Sequence, residues 1–243
     1  MTNIAMWSGP RNISTAMMYA FANRADCVAW DEPFYGAYLK ATGLKHPMAD
    51  EILSAMECDA GKVAASCVRP AAKPLFYQKH MTHHMLPAFG RRGSDGLANA
   101  FLIRAPEPTL ASYAKRRAQF TLDEIGLPAQ VALFERAADR LGRAPPVVDG
   151  AAVLARPAAT LTALCAALGV PYTPEMLHWP SGPRASDGAW APAWYDAVEK
   201  STGFGPPRAD ARFEDLEDAL KPIAEAARPL YERLARHKLA PLP

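Results

Sequence analysis

The sequence predicts a three-layer α/β/α domain with a central parallel sheet, and three observations predict it. Short apolar runs alternate with longer helical stretches from one end of the chain to the other, as strand–helix–strand units do. The first run, residues 3–7 (NIAMW), is apolar throughout and stops at Ser-Gly-Pro, which reads as a buried strand feeding a loop. The 243 residues, half of them apolar, suffice for one large core, so residues 1–243 are expected to form a single domain.

The elements follow in order. Residues 14–23 (STAMMYAFAN) read as a helix whose first free amides Ser14 or Thr15 can satisfy, with Asn23 near its end. Residues 27–30 (CVAW) make a second strand, running into DEPF, where Pro33 sets Glu32 in an extended or turn conformation. Residues 35–72 read as several short helices. Residues 74–78 (PLFYQ) are a third strand, followed by the histidine-rich KHMTHHML, and residues 99–103 (NAFLI) a fourth, ending at Arg104. The helix that follows, 106–120, has proline and Glu107 in its first turn and Lys115, Arg116 and Arg117 later, a polarity suited to the helix dipole. Further elements are a helix at 128–141, a short strand at 146–149 (PVVD) and an amphipathic helix at 157–168 stopped by Gly169. The last long helix is read at 215–236, bent or broken near Pro222 and Pro229. Ligands of such sheets bind beyond the carboxyl ends of the strands. Residues 8–15, 31–33, 79–84, Arg104 and Asp149 are therefore the ones to inspect.

Composition excludes several classes. A net charge of +2 is too small for a chain that coats nucleic acid. No stretch approaches the length needed to span a membrane. The four cysteines form no CxxC pair, so they read as free thiols of a reducing compartment, and a metal knuckle is not expected. With no basic-then-apolar leader at the N-terminus, a cytoplasmic protein is expected.

The loop Ser8–Thr15 (SGPRNIST) joins a strand to a helix start. Backbone amides there, backed by the helix dipole, suit an anion. Arg11 adds a forked cation, and Ser14 and Thr15 add hydroxyls. This is the grammar of a phosphate-binding P-loop, although GxxxxGK[ST] is absent and no Walker-B aspartate follows a strand. An ordinary turn carrying a surface arginine fits these eight residues equally well. A second pair lies further on: Arg104 at a strand end and Ser112 eight residues later in RAPEPTLAS, able to converge on one anion from a strand terminus and the second turn of a helix.

Together these motifs resemble the sulfotransferase superfamily, in its bacterial type, whose donor is 3′-phosphoadenosine-5′-phosphosulfate. Pro10, Arg11, Asn12, Ile13, Ser14 and Thr15 match the family's P-[KR]-[SG]-G-[ST]-T loop, except that Ile13 stands where glycine is preferred. The resemblance implies a P-loop nucleoside-triphosphate-hydrolase-like fold. It also implies that Arg11 binds the bridging and sulfonate oxygens, Ser14 and Thr15 the 5′-phosphate, and Arg104 with Ser112 the 3′-phosphate. Residues 147–172 resemble a late strand–loop–helix segment of the family, with Gly150 and Ala151 at positions usually bulky or acidic. GPRASDGAW resembles the late glycine-rich segment that closes over the donor, which makes Arg184 and Gly188 its phosphate contacts.

Sulfonyl transfer to a hydroxyl or amine of a small-molecule acceptor needs a base. Glu32 resembles the "EP" glutamate of several bacterial and Golgi carbohydrate-type members. Trp30, Phe34 and Tyr35 supply an apolar setting to raise its pKa. His80 and His84 are the runners-up, near in position to the Lys-x-His of the cytosolic members, and Lys79 is placed to neutralise the departing phosphate. His80 and His84 also have i,i+4 spacing, but no HExxH accompanies it and no metal is expected. Trp179, Trp190, Trp194 and Tyr195 can wall an acceptor or adenine pocket, or simply fill the core. Two other readings stay open: a P-loop kinase using ATP, and a non-catalytic nucleotide-binding member of the fold. The oligomeric state is also open, a homodimer being one option.

Overall fold

The computed structural model describes residues 1–89, 94–117, 119–207 and 211–242. In chain order the elements are β1 (Thr2–Ser8), α1 (Ser14–Ala22), β2 (Cys27–Asp31), α2 (Tyr35–Thr42), α3 (Ala49–Ala55), α4 (Ala60–Cys67), β3 (Leu75–Met81), β4 (Ala98–Ile103) and α5 (Pro106–Ala114). There follow α6 (Leu122–Ile125), α7 (Leu127–Leu141), β5 (Val147–Asp149), α8 (Gly150–Ala155), α9 (Pro157–Leu168), α10 (Ala191–Trp194), α11 (Asp196–Glu199) and α12 (Lys221–Ala235). The five strands pair in parallel in the order β2-β3-β1-β4-β5, with β1 at the centre.

β1 shows why its run is apolar throughout. Ala5 and Trp7 enter a core with Phe101, Ile103, Leu133, Phe134 and Leu234, which packs α5, α7 and α12 on one face. Ile4 and Met6 enter a second core with Met17, Phe21, Leu102, Leu161 and Leu164, which packs α1 and α9 on the other. Both faces of the strand are dry, so there is no polar side to alternate with. Among the described residues no helix is long and apolar enough to cross a membrane.

Four expectations are corrected. The third strand runs on to Met81, because it pairs with β1 as far as Trp7↔His80 and Ser8↔Met81. Lys79 and His80 therefore lie inside a strand and point to opposite faces. The helix read at 106–120 ends at Ala114, with Lys115 as its C-cap; Ala118 lies outside the described residues. The last helix starts at Lys221, with Pro222 in its first turn, where the missing N–H costs nothing, and Pro229 is carried inside it. Short 3-10 turns replace the helix over Phe213–Asp215 and Asp218–Leu220. Finally, neither Ser14 nor Thr15 caps α1; the N-cap is Ile13, in a left-handed conformation at φ 45°.

The loop after β1 is wedged. A Cβ on Gly9 would run into the backbone carbonyl oxygen of Ile125 at the end of α6. A carbonyl in a helix end cannot swing aside as a side chain can. Gly9→Ala is expected to lower stability by about 1–3 kcal/mol, as overpacking does, read as the shift in urea unfolding midpoint at unchanged slope.

Candidate functional site

One cavity of about 320 Å³ opens at the carboxyl ends of β1, β3 and β4. Pro10, Arg11, Asn12, Ile13, Ser14, Thr15, Arg104 and Ser112 all line it, so the opening loop and the β4–α5 pair face one space. The Arg11 Nε donates to Ser112 Oγ at 3.1 Å, and an Arg104 guanidinium nitrogen donates to the Arg11 carbonyl oxygen at 2.9 Å. Arg104 thus braces the loop residue that carries the first cation. Arg11 sits at φ 58° and Ile13 at φ 45°, two left-handed residues in a three-residue stretch. That explains the preference for glycine at position 13: the conformation is open to glycine and strained for a β-branched residue. No described side chain caps α1, so its first amides have a ligand's place in front of them. Asn12 is structural. Its Nδ2 donates to the Leu102 carbonyl at 2.6 Å, and Gly150 is small because a Cβ there would press on Asn12 Oδ1 at 2.9 Å. Asp149 caps α8 through Ala151 N at 2.9 Å and receives Tyr231 and Lys238, which anchors the C-terminal segment.

The other end of the cavity is acidic and dry. Register places Asp31 beside Lys79 on neighbouring strands, on the same face of the sheet. Lys79 is 1% exposed, and its three N–H groups are all used: to Asp31 Oδ1 at 2.9 Å, Glu32 Oε1 at 2.5 Å and Tyr195 Oη at 2.6 Å. Tyr195 in turn donates to Asp31 Oδ2 at 2.7 Å and accepts from Trp190 Nε1 at 3.0 Å. Two acids share one lysine, so one carboxylate lacks a counter-charge. Glu32 shows the consequence. Burial, with Asp31 adding to it and Lys79 opposing it, raises its pKa from 4.5 to about 7. Lys79 is held charged by the two acids beside it, against the pull of burial. It is spent on Asp31, Glu32 and Tyr195 and sits as a brace for Glu32 rather than as a cation turned to a leaving group. Glu32 itself has φ 40°, a left-handed turn before Pro33 closed by Tyr35 N to Glu32 O at 3.0 Å. Strain of that kind persists where neighbours over-determine the backbone.

The histidines separate. His84 lines the cavity, its Nδ1 3.8 Å from Glu32 Oε2, its ring stacked on Tyr35 and Tyr38 at centroid distances of 4.4 and 4.8 Å. Burial holds it neutral, well below the ordinary pKa. His80 points the other way: it stacks on Trp7 at 4.2 Å, faces Gln78 Oε1 at 3.1 Å, and burial lowers its pKa to about 3. It lies in the core layer away from the cavity and is not brought to Glu32. Arg184 and Gly188 are also elsewhere. The Arg184 guanidinium lies over the Tyr19 ring at 4.7 Å, while the Gly188 N–H donates to Asp31 Oδ2 at 3.2 Å and its Cα is covered by the Trp190 ring. The glycine-rich stretch that does reach the cavity is Gly203-Phe204-Gly205-Pro206. Sequence reasoning passed over that stretch, whose paired glycines before proline were the available signal. Tyr35, His46, Tyr113, Trp190, Trp194 and Tyr195 wall the acidic end, whereas Trp179 packs behind α1 against Tyr19 and Phe204. Among the described residues no three His, Cys, Asp or Glu side chains are arranged to hold a metal.

Comparison with known proteins covers this whole arrangement. Residues 1–237 match the family model described as Sulfotransferase domain. Two Arabidopsis thaliana proteins, branched-chain-amino-acid aminotransferase-like proteins 2 and 1, are 38% identical over 206 residues and 37% identical over 235, covering 84% and 96% of this chain. The chain spans 36% and 42% of their lengths. A sulfotransferase structure from Alicyclobacillus acidocaldarius superposes with TM-score 0.59 at 12% identity, covering 99% of this chain and 97% of that one. The sulfotransferase domain of the curacin biosynthetic pathway gives 0.52 at 16%, covering 98% and 99%. That of the Synechococcus PCC 7002 olefin synthase gives 0.53 at 20%, covering 93% and 95%. These structural likenesses are likenesses of fold, and the family match adds to them a continuous span that holds the β1–α1 loop, the β4–α5 pair and the buried acid cluster together. The chain belongs to the sulfotransferase domain family.

Proposed function

We propose that the protein transfers a sulfonate group from 3′-phosphoadenosine-5′-phosphosulfate to a hydroxyl or amine of a small-molecule acceptor. The observation that carries the reading is the meeting of Arg11, Arg104 and Ser112 at one cavity, in front of the uncapped start of α1. Such a set fits a donor with anionic groups at two ends, because each end meets a forked cation or a row of amides. The donor supplies an activated sulfonate with a phosphate as leaving group. Arg11, with Ser14 and Thr15, holds and neutralises the 5′ end; Arg104 and Ser112 hold the 3′-phosphate; Gly203–Pro206 is the segment positioned to close over it. Glu32 takes the acceptor's proton. Asp31, Lys79 and Tyr195 keep it oriented and its pKa near neutrality, where a base is most useful.

Calorimetry with adenosine 3′,5′-bisphosphate tests the donor assignment. Wild type is expected to bind it. Arg104→Ala is expected to lose about 1.5–3 kcal/mol, the worth of a charge-assisted contact. ATP is expected not to compete, since it lacks the 3′-phosphate. Equal affinity in wild type and variant, or effective competition by ATP, overturns the assignment and returns the kinase reading.

A further inference from the structure

The segment Ser201–Pro206 is a thin wall. Ser201, Gly203, Phe204, Gly205 and Pro206 line the cavity on one side. Ser201, Gly203, Phe204 and Gly205 also line an outer hollow of about 490 Å³, together with Leu177 and His178. With open space on both sides, this strap takes little support from packing against either, and its position rests on the contacts along its edge.

Those contacts converge on Trp179. Its backbone N–H donates to the Thr202 carbonyl at 3.1 Å, and its Nε1–H donates to Ser201 Oγ at 3.1 Å. Its ring meets that of Phe204 edge-on at 5.1 Å. Beside it, His178 pairs with Gly203 as an antiparallel bridge, and a Cβ on Gly203 would come within 2.7 Å of the Leu177 carbonyl oxygen, so the two backbones touch. Trp179 itself belongs to the α1 side. It is 3% exposed and lies edge-on to Tyr19 of α1 at 6.1 Å. Asn23, at the end of α1, secures the residues before it by donating to the Glu175 and His178 carbonyls at 2.9 and 2.7 Å.

We infer that Trp179 is a positioning residue for the donor: it lines neither hollow, yet it ties the strap to α1, so that the wall beside the nucleotide stands in place before the nucleotide arrives. This rests on the donor reading above and adds a residue to it. The first turn of α1 and the strap line one cavity, through Ser14, Thr15 and Ala16 on the helix and Gly203–Pro206 on the strap. A wall that is already ordered loses less entropy when the ligand binds. Without the Trp179 Nε1–H bond to Ser201, the strap has room toward the outer hollow, and the ligand has to order it on binding.

Two substitutions break that bond from its two ends. Trp179→Phe keeps a ring between Tyr19 and Phe204 and removes the Nε1–H. Ser201→Ala removes the partner and leaves the tryptophan packed. Each is expected to weaken binding of adenosine 3′,5′-bisphosphate about three- to tenfold, the worth of one hydrogen bond. The double variant is expected to bind no more weakly than the weaker single one, because both changes remove the same contact. Hydrogen exchange reads the strap without ligand. The amide of residue 179 is bonded to Thr202, so it exchanges when the strap leaves. In Ser201→Ala it is expected to exchange faster by about the same factor, while the amides of β1 keep their wild-type rates. Unchanged affinity in both variants, effects that add in the double variant, or an equal acceleration in β1, the mark of a merely structural loss, overturns the inference. No binding of the bisphosphate by wild type removes the donor reading instead, and the exchange comparison then decides alone whether Trp179 holds the strap.

Discussion

Lys79→Met is expected to destabilise the fold by about 3–5 kcal/mol, the cost of leaving a buried charge without its partner. Methionine fills most of the volume, so the loss is electrostatic rather than a cavity. What remains is Asp31 and Glu32 within reach of one former ammonium, at 3% and 8% exposure, with no cation between them. Tyr195 also loses the Lys79 donor, while its bonds with Trp190 and Asp31 remain. The effect depends on pH. Without Lys79, which opposes its rise, the Glu32 pKa climbs further above 4.5, so the folded state takes up a proton more readily than the unfolded chain does. Stability then falls as pH rises. The cost is expected to be larger at pH 8 than at pH 5.5, measured by urea unfolding at each. Adding Glu32→Gln to the variant should recover part of it at pH 8. A cost below about 1 kcal/mol, equal at both pH values, would mean that the lysine is not the counter-charge of this pair.

The same lysine marks where the sequence stops being legible. The β1–α1 loop and the Arg104–Ser112 spacing are short-range patterns. Strand, turn and helix start are neighbours in the chain, and the fold only has to bring two such turns to one sheet end, which parallel topology does. β3 is different. Gln78 looks like the polar end of a strand, and Lys79 and His80 like polar residues after it, yet they are 0%, 1% and 1% exposed. They are tolerated inside because distant groups satisfy or cover them: Cys67 O for Gln78, Asp31, Glu32 and Tyr195 for Lys79, the Trp7 ring for His80. None of those partnerships is written locally. Ending the strand at 78 rather than 81 put His80 in a loop, when the alternation of a strand sends it to the face opposite Lys79. Arg184 and Gly188 lie outside the lining of the cavity for a related reason. The late chain carries two glycine-containing segments, and Asp31 accepts from the Gly188 N–H of the earlier one, which lies against the acid cluster.

Glu32→Gln is expected to lower the sulfonyl-transfer rate by about 10²–10⁴-fold, the usual worth of a positioned base, while leaving the fold intact. Glutamine can still accept from Lys79, and the Asp31–Lys79 pair at 2.9 Å is untouched. The pH profile separates Glu32 from the neighbouring histidine. With Glu32 titrating near 7, wild-type kcat/KM should rise about tenfold per pH unit below that value and level off above it. Were His84 the base, its burial-depressed pKa would make the profile flat from pH 5.5 to 9, and Gln at position 32 would change little. Radiolabelled transfer across that range, on wild type and Gln variant, distinguishes the two. The profile has a structural counterpart. A carboxyl whose pKa is raised from 4.5 to about 7 on folding stabilises the folded state below 4.5 and loses that contribution as pH rises through 7. On the proposed reading, the base becomes active over the same window in which its burial becomes a liability. The Gln variant should be slow, insensitive to pH in rate, and less sensitive than wild type in stability across that window. All three follow from one carboxyl held in a dry pocket with less counter-charge than it needs.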